Sequence, residues 1–326
     1  MKNTLNQVLD KHKKKNLTLT GGFGYIGSAL LSRFSSKADN INVVSRKHEN
    51  PFDVSVFFSN DLTDEILWDR IVQDSDVVFH LAGNTSLKWA QENEKKSLDL
   101  AILPIKRFRD SCVRKNKYPR FIFASTVTLY GSNYKNVITE EEHPHPESIY
   151  DLHKLFSEEY LRYCSESIGF ESIILRLSNV YGPSKIKAGS SDRGVLNKVT
   201  TNLIEGKKVS VYGDGNYLRD YIYIEDVVDA FLLAGDKPIK NITEVYNICS
   251  GSSIPLKKAF QTTQSLLKNS SSIQEVPWPE NSYKIDKRNF EGDNRKFRED
   301  FNWSPKFNLE EGIVNMIKDF RGLEND

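Results

Sequence analysis

Leu17-Thr18-Leu19-Thr20-Gly21-Gly22-Phe23-Gly24-Tyr25-Ile26-Gly27-Ser28-Ala29-Leu30 is the stretch whose reading decides the fold. A short run of Leu and β-favouring Thr meets three glycines spaced G-x-x-G-x-x-G, and a helical pattern follows. The order is strand, tight turn, helix N-terminus. Gly21 suits a backbone with positive φ, which glycine adopts without steric penalty. Gly24 lets a pyrophosphate approach the main chain, and Gly27 lets the helix pack on the strand. The helix start, with Tyr25 and Ile26, offers N–H groups and partial positive charge to phosphates. An ordinary glycine-rich turn can share this spacing. The flanking strand and helix favour a dinucleotide site.

Outward from this stretch, strands alternate with helices. A helix runs over Ile26 to Phe34, and Ile41 to Val44 is a second strand ending at Ser45-Arg46-Lys47. Val54 to Phe58 is a third, leading to Asp61 and Leu62. Asp76 to Gly83 is a fourth, nearly continuous in apolar residues, as a strand buried on both faces should be. His80 inside it reads as a core histidine rather than a ligand. Asn93 to Lys115 is a long helix in which Pro104 is a candidate irregularity, and Phe121 to Thr126 is a fifth strand. The pattern predicts an α/β fold, a doubly wound parallel (Rossmann) sheet with its site at the carboxyl ends of the strands.

After Ser172 to Leu177 the alternation loosens. A polar loop (184–193), a helix over Gly194 to Glu205 and a short strand over Val209 to Tyr212 follow. Then come a turn at Gly213 to Asn216, an apolar run over Leu218 to Ile224 and a helix through Leu233. Val245 to Ile248 is a strand, Ser270 to Ser272 and Trp278 to Lys287 are loops, and Leu309 to Phe320 is the last helix. The expected organisation is a polar extension over 1–14, a dinucleotide-binding domain over 15–178 and a smaller mixed substrate domain over 179–326. Segments near 221–249 return to the first domain.

The 326 residues carry a formal charge of +1, which favours neither nucleic acid nor a membrane surface as partner. Cys112, Cys164 and Cys249 are far apart and form no C-x-x-C, so reduced thiols are expected and no metal site. No apolar run reaches the length of a membrane span, and Met1 to Lys15 has no apolar signal core. A cytoplasmic location follows as the expectation.

Two positions bear on the cofactor and its chemistry. An acidic residue often ends the second strand of such folds and binds the ribose 2′-OH. Ser45 and Arg46 stand there instead, and a hydroxyl with a guanidinium suits a 2′-phosphate, favouring NADP(H) over NAD(H). A solvated surface arginine is the plainer alternative. Further on, Tyr150 and Lys154 lie four residues apart on one helical face, and Thr126 ends the fifth strand. Lowering a phenol by about three pKa units takes roughly 4 kcal/mol. An ammonium about 4 Å away supplies roughly that at a surface-like dielectric, and an oxidised nicotinamide adds to it. Thr126, Tyr150 and Lys154 are therefore candidate catalytic residues, with Tyr150 acting as base towards a sugar hydroxyl or acid towards a carbonyl. A Y-x-x-x-K pair also arises by chance on solvated helices; the glycine turn upstream and the strand-end hydroxyl favour catalysis here.

These pieces together resemble the extended short-chain dehydrogenase/reductases, in the NAD(P)-dependent epimerase/dehydratase family acting on nucleotide sugars. The matching runs are Thr-Gly-Gly-Phe-Gly-Tyr-Ile-Gly at 20–27, Asp-Leu at 61–62, His-Leu-Ala-Gly at 80–83 and Ser-Thr-Val-Thr-Leu-Tyr-Gly at 125–131. Tyr-x-x-x-Lys at 150–154, Arg-Leu-Ser-Asn-Val-Tyr-Gly-Pro at 176–183, Gly-Asp-Gly-Asn-Tyr-Leu-Arg-Asp-Tyr-Ile-Tyr at 213–223 and Asn-Trp-Ser-Pro at 302–305 complete them. The resemblance implies that Gly21, Gly24 and Ile26 hold the pyrophosphate and that Arg46 faces the adenosine ribose. It implies that Asp61 and Leu62 contact adenine and that Leu81, Ala82 and Gly83 line the cofactor cleft. Asn179 and Arg219 would bind the diphosphate of a nucleotide sugar. It also implies a homodimer built from the helices at 93–115 and 150–163.

Three departures stand out. The acidic residue after the second strand is missing. Val127-Thr128 occupies the place of the Asp-Glu pair of 4,6-dehydratases, which argues against that elimination. Asp99 falls where many members have Asn. Two reactions at sugar C4 then remain: NADPH-dependent reduction of a nucleoside-diphosphate 4-keto-6-deoxyhexose, which Arg46 favours, and NAD-dependent 4-epimerisation. A non-catalytic nucleotide-binding sensor is a third reading, disfavoured because Thr126, Tyr150 and Lys154 are all present.

Overall fold

Short apolar runs separated by amphipathic helices have one economical solution, a parallel sheet covered on both faces, and the chain adopts it. In the computed structural model the described residues are 15–34, 41–46, 51–52, 54, 56–58, 61–132, 134, 137–185, 194–268, 273–280 and 282–322. The 1–14 extension, residues 186–193 of the polar loop and Ser270 to Ser272 lie outside them.

The first half contains β1 (Leu17–Thr20), α1 (Tyr25–Phe34), β2 (Ile41–Val44), β3 (Val56–Phe58), α2 (Glu65–Asp74) and β4 (Val77–His80). It continues with α3 (Leu87–Glu92), α4 (Glu94–Lys115), β5 (Arg120–Thr126), a 3-10 turn (Val127–Tyr130), α5 (Ile149–Ile168) and β6 (Ser172–Leu177). Then follow β7 (Asn179–Tyr181), α6 (Val195–Ile204), β8 (Val209–Tyr212), β9 (Leu218–Tyr223), α7 (Ile224–Asp236) and β10 (Thr243–Ile248). The last part holds β11 (Ser253–Pro255), α8 (Leu256–Leu267), β12 (Ile273–Val276), a 3-10 turn (Lys284–Lys287), α9 (Arg295–Phe301) and α10 (Leu309–Phe320).

Seven strands form one parallel sheet in the order β3-β2-β1-β4-β5-β6-β10. Strand order reverses at β1/β4, which opens a crevice at the carboxyl ends of those strands. β1, β2, β4, β6 and β10 are buried along their whole lengths. One face packs on α1 and α7 through residues such as Leu30, Phe79 and Phe231. The other packs on α2, α4 and α5 through Trp68, Phe108, Phe121 and Leu161. Two smaller sheets, β11-β9-β7 and β12-β8, hold the remaining strands. Among the described residues no helix is long and apolar enough to cross a membrane.

Pro104 is accommodated inside α4, which runs over 22 residues. His80 is a buried core residue whose Nδ1 pairs with Thr20 Oγ1 at 2.8 Å, and burial lowers its pKa to about 3. The three cysteines are buried and form no disulfide.

A buried ion pair locks the sheet to α5. Arg176 of β6 reaches Glu158 of α5 at 2.7 Å, with 5% and 0% of the two side chains exposed. Arg176 also donates to Tyr130 Oη at 2.8 Å, and Tyr130 donates to Asn247 Oδ1 of β10 at 2.9 Å. Removing one partner leaves a buried charge unmatched, a loss of about 3–5 kcal/mol. Glu158→Ala is therefore expected to lower the urea midpoint by the equivalent of that amount at unchanged slope. A midpoint within experimental error of the wild type would contradict this account.

Candidate active site

The glycine turn is built for close approach. Gly21 has φ +70°, and a Cβ there would stand 2.8 Å from the Ala82 backbone nitrogen. A Cβ on Gly27 would meet the Gly21 carbonyl at 2.5 Å. The Gly24 N–H donates to the Gly21 carbonyl at 2.8 Å and closes the turn. The first turn of α1 carries no carboxylate. It borders a cleft of about 1420 Å³, open to solvent, at the carboxyl edge of the sheet.

The cleft gathers most of the residues singled out from the sequence. Gly21, Gly24, Tyr25 and Ile26 line it on one side, and Leu81 and Gly83 follow β4. Thr126, Tyr150, Lys154 and Asn179 line it as well. Ala82 lies on an adjoining hollow that shares Gly83, Tyr150 and Lys154.

Ser148 sets the start of α5, its hydroxyl accepting from the Asp151 N–H at 3.1 Å. Tyr150 thereby sits in the first turn, on the cleft that Thr126 also lines, and Thr126 works against the rise of its phenol pKa. One turn on, Lys154 donates to the Ala124 carbonyl at 2.8 Å and lies 4.5 Å from the centre of the Phe123 ring. Burial holds its amine at about 8, against an ordinary 10.5, with Glu158 opposing the shift. Burial also pushes the Tyr150 phenol well above its ordinary value, and the neighbouring Asp151 charge adds to this. The four-residue spacing predicts that the Lys154 ammonium dominates the phenol; among the protein's own groups desolvation is instead the larger effect.

The adenosine-side candidates stand apart from the cleft lining. Ser45 and Arg46 follow β2 directly beside the glycine turn, since the Gly21 N–H donates to the Val44 carbonyl at 2.8 Å. Arg46 is exposed. Asp61 Oδ1 accepts from the Thr63 N–H at 3.0 Å, and the Leu62 carbonyl accepts from Trp68 Nε1 at 2.7 Å. Asp99 pairs with Lys95 at 3.4 Å on an exposed face of α4.

Arg219 differs from expectation. It is buried behind the cleft, donating to the Leu218 carbonyl at 2.9 Å, the Asp286 carbonyl at 2.5 Å and the Arg288 carbonyl. The guanidinium that lines the cleft is that of Arg288, which reaches Asn179 Oδ1 at 3.4 Å. Burial, reinforced by the Arg219 charge, lowers the Arg288 pKa to about 9, and its Nε is buried without a partner. Among the described residues neither arginine joins an ion pair. Arg288 faces the cleft with Arg219 behind it, and the Asp286 charge, joined at Arg288 by that of Asp151, offsets them only in part; a guanidinium so placed suits an anionic ligand. Sequence reasoning missed Arg288 because it follows a 3-10 turn in a run with no periodicity. Thr128 and Asp151, hydrogen-bonded to each other beside Tyr150, were missed as well.

Comparison with known proteins gives a consistent picture. The family model described as the NAD dependent epimerase/dehydratase family matches residues 17–249. A putative UDP-glucose 4-epimerase of Methanocaldococcus jannaschii is 28% identical over 92% of this chain and 97% of that protein. A dTDP-4-dehydro-6-deoxyglucose reductase of Escherichia coli is 29% identical over 95% of this chain and 98% of its own length. The crystal structure of a UDP-glucose 4-epimerase from Thermotoga maritima, with UDP-glucose, superposes with a TM-score of 0.84 at 30% identity. That match covers 94% of this chain and 99% of the other.

The depressed Lys154 pKa has a thermodynamic consequence. Below pH 8 the folded and unfolded states both bind its proton, and above 10.5 neither does. Between those values only the unfolded state is protonated, so this group makes stability rise with pH across that window. The unfolding free energy of the wild type relative to Lys154→Met is expected to climb from pH 8 to 10.5 in urea titrations. A flat difference would place the amine in a solvated site.

Proposed function

The chain belongs to the NAD dependent epimerase/dehydratase family, and on that premise we propose that it transfers hydride at C4 of a nucleotide sugar, as an NADPH-dependent reductase of a nucleoside-diphosphate 4-keto-6-deoxyhexose. The observation that carries the C4 hydride-transfer reading is the meeting of Thr126, Tyr150 and Lys154 with the glycine turn and Arg288 around one cleft. The glycine turn and the carboxylate-free start of α1 fit a dinucleotide pyrophosphate, held by Gly21, Gly24, Tyr25 and Ile26. Leu81, Ala82 and Gly83 line the cofactor cleft, while Ser45, Arg46, Asp61 and Leu62 serve the adenosine end. A nicotinamide dinucleotide supplies or accepts the hydride when bound. Tyr150 gives its proton to the sugar oxygen in reduction and removes one in oxidation, and Thr126 orients that oxygen. Lys154, anchored on the Ala124 carbonyl, places positive charge beneath both. Arg288 and Asn179 bind the diphosphate, and Arg219 holds the Arg288 backbone from behind.

The tilt to NADP(H) rests on Ser45 and Arg46 standing where a ribose-binding carboxylate otherwise ends β2; the likeness to a dTDP-4-dehydro-6-deoxyglucose reductase supports the reduction itself. A second reading, NAD-dependent 4-epimerisation, draws support from the likeness to the Thermotoga maritima epimerase. In either case residues 15–178, with returning segments near 221–249, hold the dinucleotide and 179–326 mainly the sugar nucleotide. Exposed Leu98 and Val113 on α4, with Phe156 and Tyr163 on α5, support a homodimer formed through these helices. A cytoplasmic location is part of the same reading.

Tyr150→Phe is expected to cut turnover by about 10²–10⁴-fold while nucleotide-sugar binding, read by calorimetry, persists. A fully active Tyr150→Phe would sink the catalytic assignment in favour of a nucleotide-binding sensor. Arg46→Asp is expected to move preference from NADP(H) towards NAD(H) in titrations of the stripped protein. An unchanged preference, or tightly retained NAD in the purified wild type, favours the epimerase.

A further inference from the structure

The first residue of α1 serves two parts of the cleft at once. The Tyr25 main chain opens the helix at the glycine turn, and the residue lines the cleft there. Its side chain leaves the turn for the segment that follows β7, far along the chain, and its hydroxyl donates to the Gly182 carbonyl at 2.9 Å. Asn197 of α6 completes the contact and has no exposed surface. Its Oδ1 accepts the Gly182 N–H at 3.0 Å. Its amide nitrogen donates to the Gly182 carbonyl at 2.7 Å and to Tyr25 Oη at 3.3 Å.

Donors and acceptors match in this group. A side-chain amide has two hydrogens, a carbonyl two lone pairs and a phenol one hydrogen, and all of them are engaged. The Gly182 N–H also fixes which way the Asn197 amide faces, since it bonds only to the oxygen. Gly182 has φ +129°, and a Cβ there would stand 2.6 Å from the Ile224 side chain at the start of α7. The end of β7 is thus pressed on α7 and held at both polar atoms of Gly182. Asn179 begins the same three-residue strand, lines the cleft and is the residue that Arg288 reaches. Over so short a strand, holding Gly182 holds Asn179.

We infer that Tyr25 and Asn197 are positioning residues that clasp the nucleotide-sugar side of the cleft to the dinucleotide turn, so that each ligand binds more tightly when the other is present. The inference rests on the reading of Gly21 to Ile26 as the pyrophosphate site and of Asn179 and Arg288 as the diphosphate site. A pyrophosphate on the N–H groups at the start of α1 restrains Tyr25. Through the phenol that restraint reaches Gly182 and the strand that carries Asn179. Part of the ordering that the second ligand needs is then already in place, and by linkage the effect is equal in both directions. Hydride transfer needs both ligands in one cleft, and the clasp favours that ternary complex over either binary one.

Tyr25→Phe keeps the ring and the main chain but removes the hydroxyl that joins the two sides. Calorimetry on protein stripped of dinucleotide gives the Kd of UDP or dTDP, whichever binds, with and without saturating NAD or NADP. The dinucleotide is expected to tighten nucleoside-diphosphate binding by about fivefold or more in the wild type. In Tyr25→Phe the ratio should fall close to one. Asn197→Ala should do the same, and the double variant should lose no more than either single one, because both act through one contact. A merely structural role would weaken the separate affinities and leave the ratio unchanged. A wild-type ratio of one, or a Tyr25→Phe ratio equal to that of the wild type, would overturn the inference and leave the function standing. Failure of the wild type to bind either nucleoside diphosphate or either dinucleotide would instead count against the function, and the clasp would fall with it. Hydrogen exchange provides a check with the dinucleotide alone. Its binding should slow exchange of the Gly182 N–H in the wild type and leave it unchanged in Tyr25→Phe. No slowing in the wild type, or equal slowing in both proteins, overturns the inference.

Discussion

The buried pair of Arg176 and Glu158 is the constraint on which the site depends. Two charges taken out of water are tolerated only when each finds its full set of partners. Glu158 has Arg176 and the Ser125 hydroxyl, and Arg176 has Glu158 and Tyr130. These four residues belong to β5, β6, α5 and the 3-10 turn after β5, so satisfying the charges fixes how those elements meet. Thr126 follows Ser125, and Lys154 precedes Glu158 by one helical turn. The registers that bring the threonine hydroxyl and the lysine amine into the same cleft are set from beneath by this pair. The negative charge of Glu158 also keeps the buried Lys154 amine from falling further below its ordinary range.

Above that floor the cleft combines two kinds of support. The glycine turn, β4 and β5 present backbone and short side chains on a rigid sheet. The cations come from elsewhere: Arg288 follows a 3-10 turn far along the chain, and Arg219 of β9 binds the carbonyls around it. Arg219 thus acts on the cleft through the main chain that carries Arg288. Two guanidiniums side by side repel each other, and burial lowers the pKa of both. An anion placed against Arg288 from the cleft side relieves that repulsion, so the apposition favours a negatively charged ligand there.

Much of this was legible in the sequence because it depends on local rules. Glycine spacing, apolar runs of strand length and the four-residue interval between Tyr150 and Lys154 each translate directly into geometry. Ser172–Leu177, Val209–Tyr212 and Leu309–Phe320 fall where the pattern places them. The three-residue strands β7 and β11 are too short to show a period, and α8 (Leu256–Leu267) mixes Lys, Gln and Thr among its apolar residues. Which arginine faces the cleft is a matter of tertiary packing: Arg219 sits in a recognisable run, and Arg288 does not. The balance at Tyr150 was equally hidden, since spacing gives the distance to a charge but not the loss of water around the phenol.

The seventh strand of the main sheet, β10, pairs with β6 in a register that joins Ser172 to Thr243, 71 residues later. While a nascent chain is still emerging, β6 has only β5 beside it, and its outer edge offers bare N–H and C=O groups to any strand that comes near. Arg176 sits in that unfinished strand, and Asn247, the last link of its hydrogen-bond network, has yet to be made. The sheet closes only when most of the protein has been synthesised. A chain shortened before Thr243 therefore keeps an open, adhesive edge, and the protein cannot be divided into two halves that fold one after the other.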